Sequence, residues 1–337
     1  MSPAFQSAVV VGATAWGTTL AVHLARNGQP TTLLVRSPEE TSQLRSVRSN
    51  ERRLPGVVFP EGMQVEHEPA AIEGAGLVCF VVPSRSLGEN VRRVASHVPT
   101  DATLLSAVKG IEQGTGRRMS QILQAELPDR PVAVLSGPNL SREVAAGLPG
   151  STVIATADAD DMALREAFHS SSLRVYTSHD VIGVELGGAL KNVVSIAAGM
   201  VDSLGFGDNA KAALLTRGLA EISRLGVAAG ADPLTFQGLA GMGDLVASSY
   251  SRLARNRRLG EMVAGGATLD EALAALGETA EGATTILSVR TLSARYDVEM
   301  PITDALYRVL YEGQRPLQAL DALMSREPGF ERAGTTS

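Results

Sequence analysis

The chain has few of the residues that build disulfide frameworks and metal centres. It contains a single cysteine, Cys79, and only five scattered histidines. One cysteine excludes an internal disulfide and suggests a reducing compartment. No cysteine or histidine pair has the spacing of a metal site. These absences predict a cytoplasmic protein that binds no metal.

Positive charge and long apolar runs are also missing. Asp and Glu (36) outnumber Lys and Arg (30), and the formal net charge is −6. This balance lacks the basic footprint of a nucleic-acid-binding protein. The first residues do not resemble a signal peptide, and no apolar run approaches the ~20 residues that a membrane helix needs. We therefore expect neither a nucleic-acid partner nor a membrane.

The first part of the chain alternates apolar strands with helices. A length of 337 residues suits two domains. Strands that are apolar throughout and alternate with helices predict a doubly wound, Rossmann-like parallel sheet over residues 1–180. The predicted strands cover residues 8–13, 31–36, 77–83, 103–110, 132–138, 151–157 and 173–178, and helices are predicted at 14–27, 87–97 and 117–127.

The second part, residues 181–326, contains no convincing strand. It predicts an all-helical domain that carries the substrate and catalytic groups, followed by a disordered tail at 327–337. The predicted helices cover residues 183–202, 209–229, 233–249, 252–264, 269–276, 283–295, 302–312 and 316–325.

The turn after the first strand resembles a dinucleotide-binding fingerprint. The pattern G-x-G-x-x-G is met by Gly12 and Gly17, but Thr14 replaces the middle glycine that lets the backbone approach a pyrophosphate. The alternative is a plain strand–turn–helix in which Thr14 caps the helix. The second strand ends in Arg36, which suits the 2′-phosphate of NADP better than the ribose hydroxyl of NAD. A solvated arginine is the alternative there.

The helix around residues 185–198 is unusual because two glycines and two polar residues interrupt an apolar run. Gly187 and Gly188 lie one turn before Lys191, on the same face, and Asn192 follows. Two interpretations remain open. The glycines could leave a cleft for a flat ligand within reach of Lys191, or they could allow tight helix packing while Lys191 extends to solvent.

Further polar residues follow neighbouring strands or interrupt the helices. Lys109 and residues 136–139 end two adjacent strands, where ligands bind to such sheets. Residues 238–248 place glycines around Asp244, and residues 254–260 gather three arginines and an asparagine, a set that suits a phosphate. A glycine-rich turn and a solvated basic face are the alternatives.

In order, these segments resemble the soluble bacterial type of NAD(P)-dependent glycerol-3-phosphate dehydrogenase. The likeness spans residues 8–315 and implies a helical domain of the 6-phosphogluconate-dehydrogenase-like type. The matching segments are GATAWGTTLA (12–21), SAVKGIE (106–112), LSGPNLSREVAAGLP (135–149), the long block at 185–226, GLAGMGDL (238–245), RNRRLG (255–260) and AEGATT (280–285).

The resemblance implies reduction of dihydroxyacetone phosphate to sn-glycerol 3-phosphate by NADPH or NADH, for glycerophospholipid synthesis, in a chain that forms a homodimer. It assigns the acid–base role to Lys191, supported by Lys109 and Asp244. The implied substrate contacts are Lys109, Gly137, Asn139, Lys191, Asp244, Ala254, Arg255 and Asn256. The implied cofactor contacts are Gly12, Thr14, Ala15, Trp16, Gly17, Arg36, Lys109, Ser141, Arg255, Thr279 and Glu281.

The chemistry of this reaction leads to three expectations. Burial and a second ammonium group should lower the pKa of Lys191 so that it can exchange protons near neutral pH. Asp244 should orient Lys191 by a hydrogen bond. Gly187 and Gly188 should leave space for the substrate and the nicotinamide.

Three residues depart from the family pattern. Thr14 replaces the usual Gly, and Ala15 and Ala254 each replace the usual Ser. The first two changes should weaken the pyrophosphate contact, and the third removes a hydroxyl near the substrate phosphate. A relative with weaker cofactor binding, another small phosphorylated keto substrate or no turnover therefore stays an alternative.

Overall fold

The computed structural model describes residues 3–277 and 280–327. Its single sheet has the strand order β3-β2-β1-β4-β5-β6-β7-β8. The eight strands are β1 (Ala8–Val11), β2 (Thr31–Leu34), β3 (Gln64–Glu66), β4 (Leu77–Phe80), β5 (Thr103–Ser106), β6 (Val132–Ser136), β7 (Gly150–Thr156) and β8 (Leu173–Ser178).

The sheet is parallel from β3 through β6, as expected, but β7 runs antiparallel to β6. The predicted parallel sheet is thus confirmed for most of its strands, and the pairing of β6 with β7 is the exception. Only the short segment that contains residues 141–145 links the two strands, so the chain returns without crossing the sheet. The strand β3 was missed because three residues are too few to establish a periodic pattern. Most observed strands also end earlier than predicted, which leaves their last apolar residues in the turns at the carboxyl edge.

Helices cover both faces of the sheet, and a separate apolar core lies on each face. Three of these helices were not predicted, although Ser37 and Pro38 at the start of one are ordinary helix-start signals. The helices are α1 (Ala15–Arg26), α2 (Pro38–Val47), α3 (Leu87–Val94), α4 (Met119–Glu126), α5 (Ser141–Ala145) and α6 (Asp161–Phe168), of which α2, α5 and α6 were missed.

The rest of the described chain is helical, as predicted. One predicted helix, 233–249, is wrong: the chain forms a 3-10 turn at Pro233–Gln237, a π-helix at Leu239–Gly243 and then an α-helix. The α-helices are α7 (Val181–Ser203), α8 (Gly207–Ala228), α9 (Asp244–Tyr250), α10 (Arg255–Ala264), α11 (Leu269–Leu276), α12 (Glu281–Tyr296), α13 (Pro301–Tyr311) and α14 (Pro316–Met324). The predicted tail lies mostly outside the described residues.

The helix α7 forms the centre of the helical region. By length and composition it could cross a membrane, so the expectation that no stretch qualifies is wrong; however, 89% of its apolar window is buried inside the fold. Glycines let α10 approach it closely, because a Cβ at Gly199 would lie 1.9 Å from the Arg257 carbonyl oxygen and one at Gly260 would lie 1.9 Å from that of Ile196. This close packing fixes α10 against the middle of α7.

Candidate functional site

A buried carboxylate, Asp244, links the sheet to the helical region. One of its oxygens accepts a hydrogen bond from Lys109 Nζ at 2.6 Å, and the other accepts one from Lys191 Nζ at 2.8 Å. The Asp244 side chain is 3% exposed, Lys191 is 8% exposed and Lys109 is 18% exposed. Two ammonium groups thus share one buried carboxylate, and the expected hydrogen bond between Asp244 and Lys191 is present.

The electrostatics of this group favour an ionised Asp244 and make the Lys109 ammonium more acidic than that of an ordinary lysine. Burial opposes the charge of Asp244, but Lys109 and Lys191 outweigh that effect and hold its pKa below the ordinary value. Burial lowers the pKa of Lys109 to about 8; Asp244 opposes this shift and the Lys191 ammonium adds to it. Lys109 therefore titrates close to physiological pH.

Three elements bring these groups together. Lys109 follows β5, Lys191 lies in the middle of α7, and Asp244 is the first residue of α9, directly after the π-helix. Such one-turn insertions frequently occur at functional sites. Lys109 Nζ also donates to the carbonyl of Gly137, which follows the neighbouring strand β6, at 2.7 Å. The carboxyl ends of β5 and β6 thus meet the helical region at this point.

Gly187 and Gly188 have a different role from the one expected. A Cβ at Gly188 would lie 2.3 Å from Ser136 Oγ, and one at Gly187 would lie 2.8 Å from the Ala240 carbonyl oxygen. The glycines therefore make room for other parts of the protein, and the expectation that they leave space for a ligand is wrong. The alternative interpretation is right that the glycines allow tight packing. It is wrong that Lys191 extends to solvent, because Lys191 is buried.

Asparagine side chains connect α10 to the same site. Asn192 Nδ2 donates to the Lys109 carbonyl at 3.2 Å, and Asn192 Oδ1 accepts from Asn256 Nδ2 at 2.9 Å. Asn256 Oδ1 in turn accepts from the backbone N–H of Gly282 at 3.0 Å. This chain of amides holds the Asn256 side chain in place. The preceding residue, Arg255, is exposed.

The basic segment 254–260 divides between two places. Arg257 is buried and pairs with Asp202 and Glu261, so it is not part of the cluster around Asp244. Ala254 is the N-cap residue of α10, and no side chain caps the helix there. A serine at this position would supply such a cap.

Glu281 begins α12 and reaches back to the sheet region. Its carboxylate accepts a hydrogen bond from the backbone N–H of Ser84, after β4, at 2.9 Å. Burial raises its pKa, while the Ser84 N–H, Arg255 and Lys191 act in the opposite direction. Glu281 thus lies within electrostatic reach of the lysine cluster. Thr279 lies outside the described residues.

The turn after β1 has two of the three glycines of a dinucleotide-binding turn. Gly12 has a φ of +111°, and a Cβ at Gly17 would lie 2.0 Å from the Gly12 carbonyl oxygen, so only glycine allows this strand–helix approach. Thr14 Oγ1 accepts from the Gly17 N–H and donates to the Val81 carbonyl, both at 2.9 Å. Its hydroxyl therefore caps α1 and contacts the end of β4. Within the described chain, the buried Nε1 of Trp16 has no hydrogen-bond partner.

The remaining predicted residues lie along the same edge of the sheet. Ala15 is the first residue of α1, Ser141 is the first residue of α5, and Arg36 follows β2 with an exposed side chain. Asn139 Nδ2 donates to Thr152 Oγ1 at 2.9 Å, and its buried Oδ1 has no partner in the described part of the chain. The sheet edge thus carries most of the residues predicted to bind the cofactor, whereas Arg255 and Glu281 begin α10 and α12, and the β5–β6 end of the sheet meets the lysine cluster.

Two residues close to the lysines were not predicted as site residues. Lys191 Nζ donates to Ser248 Oγ, and Asn192 holds the Lys109 carbonyl as described above. Ser248 lies four residues after Asp244, on the same face of α9, and Asn192 adjoins Lys191. Both spacings can be read from the sequence, but neither shows which residue the side chain contacts across the fold.

Comparison with known proteins agrees with this arrangement. Residues 7–162 match the N-terminal domain model of NAD-dependent glycerol-3-phosphate dehydrogenase, and residues 180–321 match its C-terminal model. The chain is 44% identical to the glycerol-3-phosphate dehydrogenase [NAD(P)+] of Streptomyces griseus over 96% of this chain and 98% of that protein. It is 46% identical to that of Chlorobium limicola, with the same coverage.

A crystal structure of glycerol-3-phosphate dehydrogenase from Coxiella burnetii superimposes with a TM-score of 0.91 at 36% identity, covering 96% of this chain and 100% of that one. The likeness therefore extends over both the sheet and the helices. From these matches, the chain belongs to the NAD-dependent glycerol-3-phosphate dehydrogenase family.

Proposed function

We propose that the protein catalyses the NAD(P)H-dependent reduction of dihydroxyacetone phosphate to sn-glycerol 3-phosphate, in the cytoplasm and for glycerophospholipid synthesis. The names of the relatives support this reaction. The observation that carries the proposal is the buried Asp244 between Lys109 and Lys191. Two cations against one anion leave positive charge where a ketone oxygen needs it.

The residues divide the chemical work as follows. A bound nicotinamide supplies the hydride for the ketone carbon. Lys191 holds the proton that the developing alkoxide requires, and Lys109 stabilises the negative charge. Asp244 keeps the two ammonium groups in place, and the Ser248 hydroxyl, next to the same Asp244 oxygen, also accepts a hydrogen bond from Lys191. Positions that are held this firmly cost little reorganisation during the reaction.

Binding of the substrate phosphate falls to α10 in this proposal. Arg255 is an exposed guanidinium at the first position of the helix, and Asn256 is fixed beside it by two hydrogen bonds. A helix N-terminus adds a partial positive charge. We assign the other predicted substrate and cofactor residues the roles that the resemblance implies, including Thr279.

The finer parts of the proposal concern the cofactor and the assembly. Arg36 at the end of β2 favours NADP(H), with NAD(H) as a second cofactor, and no metal is required because the lysines supply the positive charge. We also propose a division of the chain near residue 180, a homodimer, and no nucleic-acid or membrane partner. Glu185 of α7, which accepts the N–H of Ser120 at 2.8 Å, joins the two regions across this division.

The test follows the loss of reduced-nicotinamide absorbance with dihydroxyacetone phosphate, in parallel with NADPH and NADH. Dihydroxyacetone without the phosphate is the matched control substrate. The proposal predicts rapid oxidation with the phosphorylated ketone, faster with NADPH, and little with the control. No oxidation with either cofactor would contradict it and would favour a relative without turnover or with another substrate.

A further inference from the structure

A second arginine lies at the carboxyl end of β2, beside the predicted adenosine end of the cofactor site. Arg93 belongs to α3, the helix that follows β4. Its Nη1 and Nη2 lie 3.4 and 3.5 Å from the carbonyl oxygen of Val35, the residue directly before Arg36. The Arg93 guanidinium therefore lies at the end of the strand that Arg36 follows, close enough for the charge of Arg36 to act on it.

The surroundings of Arg93 disfavour its charge. Burial lowers the pKa of Arg93, and the charge of Arg36 lowers it further, against a smaller opposite effect of Glu89 one turn earlier. Glu40 supplies one carboxylate beside Arg36 and accepts its backbone N–H at 3.3 Å. The repulsion between the two arginines favours the binding of a further negative group next to Arg93.

Arg93 also keeps an unused hydrogen-bond donor. Its Nε is buried and has no partner within the described chain, and its two contacts with Val35 are at the long limit for a hydrogen bond. Buried donors of this kind are rare and call for a physical explanation. A doubly charged phosphate with three acceptor oxygens would satisfy the donor and relieve the repulsion together.

We infer that Arg93 and Arg36 together form the site for the 2′-phosphate of NADP(H), and that Arg93 determines specificity for that phosphate. The inference rests on the NADP preference proposed above and adds a residue to it. Arg93 could not be predicted from the sequence, because nothing in its helix indicates which strand end the side chain reaches.

The neighbouring Arg92 provides a matched control. It has the same side chain on the same helix, but it pairs with Glu126 of α4 and its side chain is 62% exposed. Replacing Arg92 removes one positive charge from α3 without removing the group beside Val35. A comparison of Arg92→Met with Arg93→Met thus separates the effect of losing the guanidinium beside Val35 from the effect of losing one positive charge.

The experiment measures binding by calorimetry and needs no ketone substrate. The probes are ADP-ribose and 2′-phospho-ADP-ribose, with the wild-type protein, Arg93→Met, Arg93→Lys and Arg92→Met, each checked for its melting temperature. Wild type should bind the phosphorylated probe more tightly. Arg93→Met should weaken that binding about tenfold or more and leave ADP-ribose unchanged, because a charge-assisted contact is lost. Arg93→Lys should keep part of the preference, and Arg92→Met should match wild type.

Several results would overturn the inference. These are equal binding of both probes by wild type, an Arg93→Met protein within about twofold of wild type, or an equal loss for both probes, which would indicate a structural role. If Arg93→Met does not fold, Arg93→Lys decides the question. An Arg93→Lys protein that prefers 2′-phospho-ADP-ribose over ADP-ribose as strongly as Arg92→Met does would contradict a bidentate guanidinium contact. Binding as predicted without any turnover would support this inference while contradicting the proposed dehydrogenase.

Discussion

Two aspartate-centred clusters lie on either side of α10, and they differ in how much positive charge they leave over. In the first, Asp244 binds Lys109, which follows β5, and Lys191, which belongs to α7. The α10 residue nearest to it in the hydrogen-bond chain is Asn256, an uncharged group. One carboxylate thus serves two ammonium groups.

In the second cluster, Asp202 binds Lys211 at 2.8 Å and Arg257 at 2.7 Å. Arg257 also binds Glu261 at 2.9 Å, so two cations meet two carboxylates. The residue types and distances resemble those of the first cluster. The two cations and two carboxylates of this cluster, however, balance one another.

The two aspartates also differ in their surroundings. The Asp244 side chain is 3% exposed and that of Asp202 is 23% exposed. The further carboxyl group near the first cluster, Glu281, has a raised pKa because it is buried, and it accepts a hydrogen bond from the Ser84 N–H. The comparison teaches that a buried ion pair is not itself a sign of function. Surplus charge in a site that excludes water is the informative feature.

The largest expected difference in stability comes from removing the central carboxylate. Asp244→Asn should lower the free energy of unfolding by about 3 kcal/mol, since it leaves two buried ammonium groups without a counter-charge. Asp202→Asn should cost less, about 2 kcal/mol, because Asp202 is partly exposed, Glu261 still pairs with Arg257, and only Lys211 is left without its counter-charge. Urea unfolding at neutral pH measures both. Equal losses would contradict the contrast between the clusters.

A pH dependence should follow from the surplus charge. The pKa of Lys109 is lowered to about 8 by burial, so its ammonium loses a proton as the pH rises through that value. The positive charge that stabilises the alkoxide is then lost, and kcat/KM for ketone reduction should fall about tenfold per pH unit above it.

The variant Lys109→Arg tests the origin of this fall, because a guanidinium stays protonated in this range. Its kcat/KM should show no decline near pH 8, whatever its absolute value. Initial rates from pH 6 to 10 measure both profiles. The same decline in the variant would assign the titration to another group.

The smallest effect concerns the helix that separates the clusters. Ala254→Ser should stabilise the protein by about 1 kcal/mol, because α10 begins without a side-chain cap. The matched variant is Thr268→Ala, which removes the reciprocal cap with Glu271 at the start of α11 and should cost about as much. Thermal unfolding measures both shifts. No gain for Ala254→Ser would indicate that Ala254 lacks the geometry of an N-cap.

Much of this arrangement could be predicted from the sequence. The alternation of apolar strands and helices predicted the sheet, and the rule that ligands bind at the carboxyl edge indicated Lys109 and Gly137 together. Lys191 stood out because it interrupts an apolar helix. Its partner Asp244 could be proposed only from the family resemblance, since 53 residues separate the two along the chain.

The parts that could not be predicted depend on contacts across the fold. Nothing in the spacing of Arg255 and Arg257 shows that the second arginine faces Asp202 instead of the site. The π-helix before Asp244 replaces a predicted helix because the chain is crowded there: a Cβ at Gly241 would lie 2.1 Å from the Phe236 carbonyl oxygen. Gly188 likewise packs against Ser136, a close approach that no local pattern encodes.

The most direct test of the central claim compares kcat/KM for dihydroxyacetone phosphate in Lys191→Met and Lys211→Met. Both changes remove a buried lysine that is paired with an aspartate, so they match in residue type and in packing. The surplus-charge account predicts a loss of about 10³-fold for Lys191→Met, and a value within about threefold of wild type for Lys211→Met. Similar losses in the two variants, with folding intact, would contradict it.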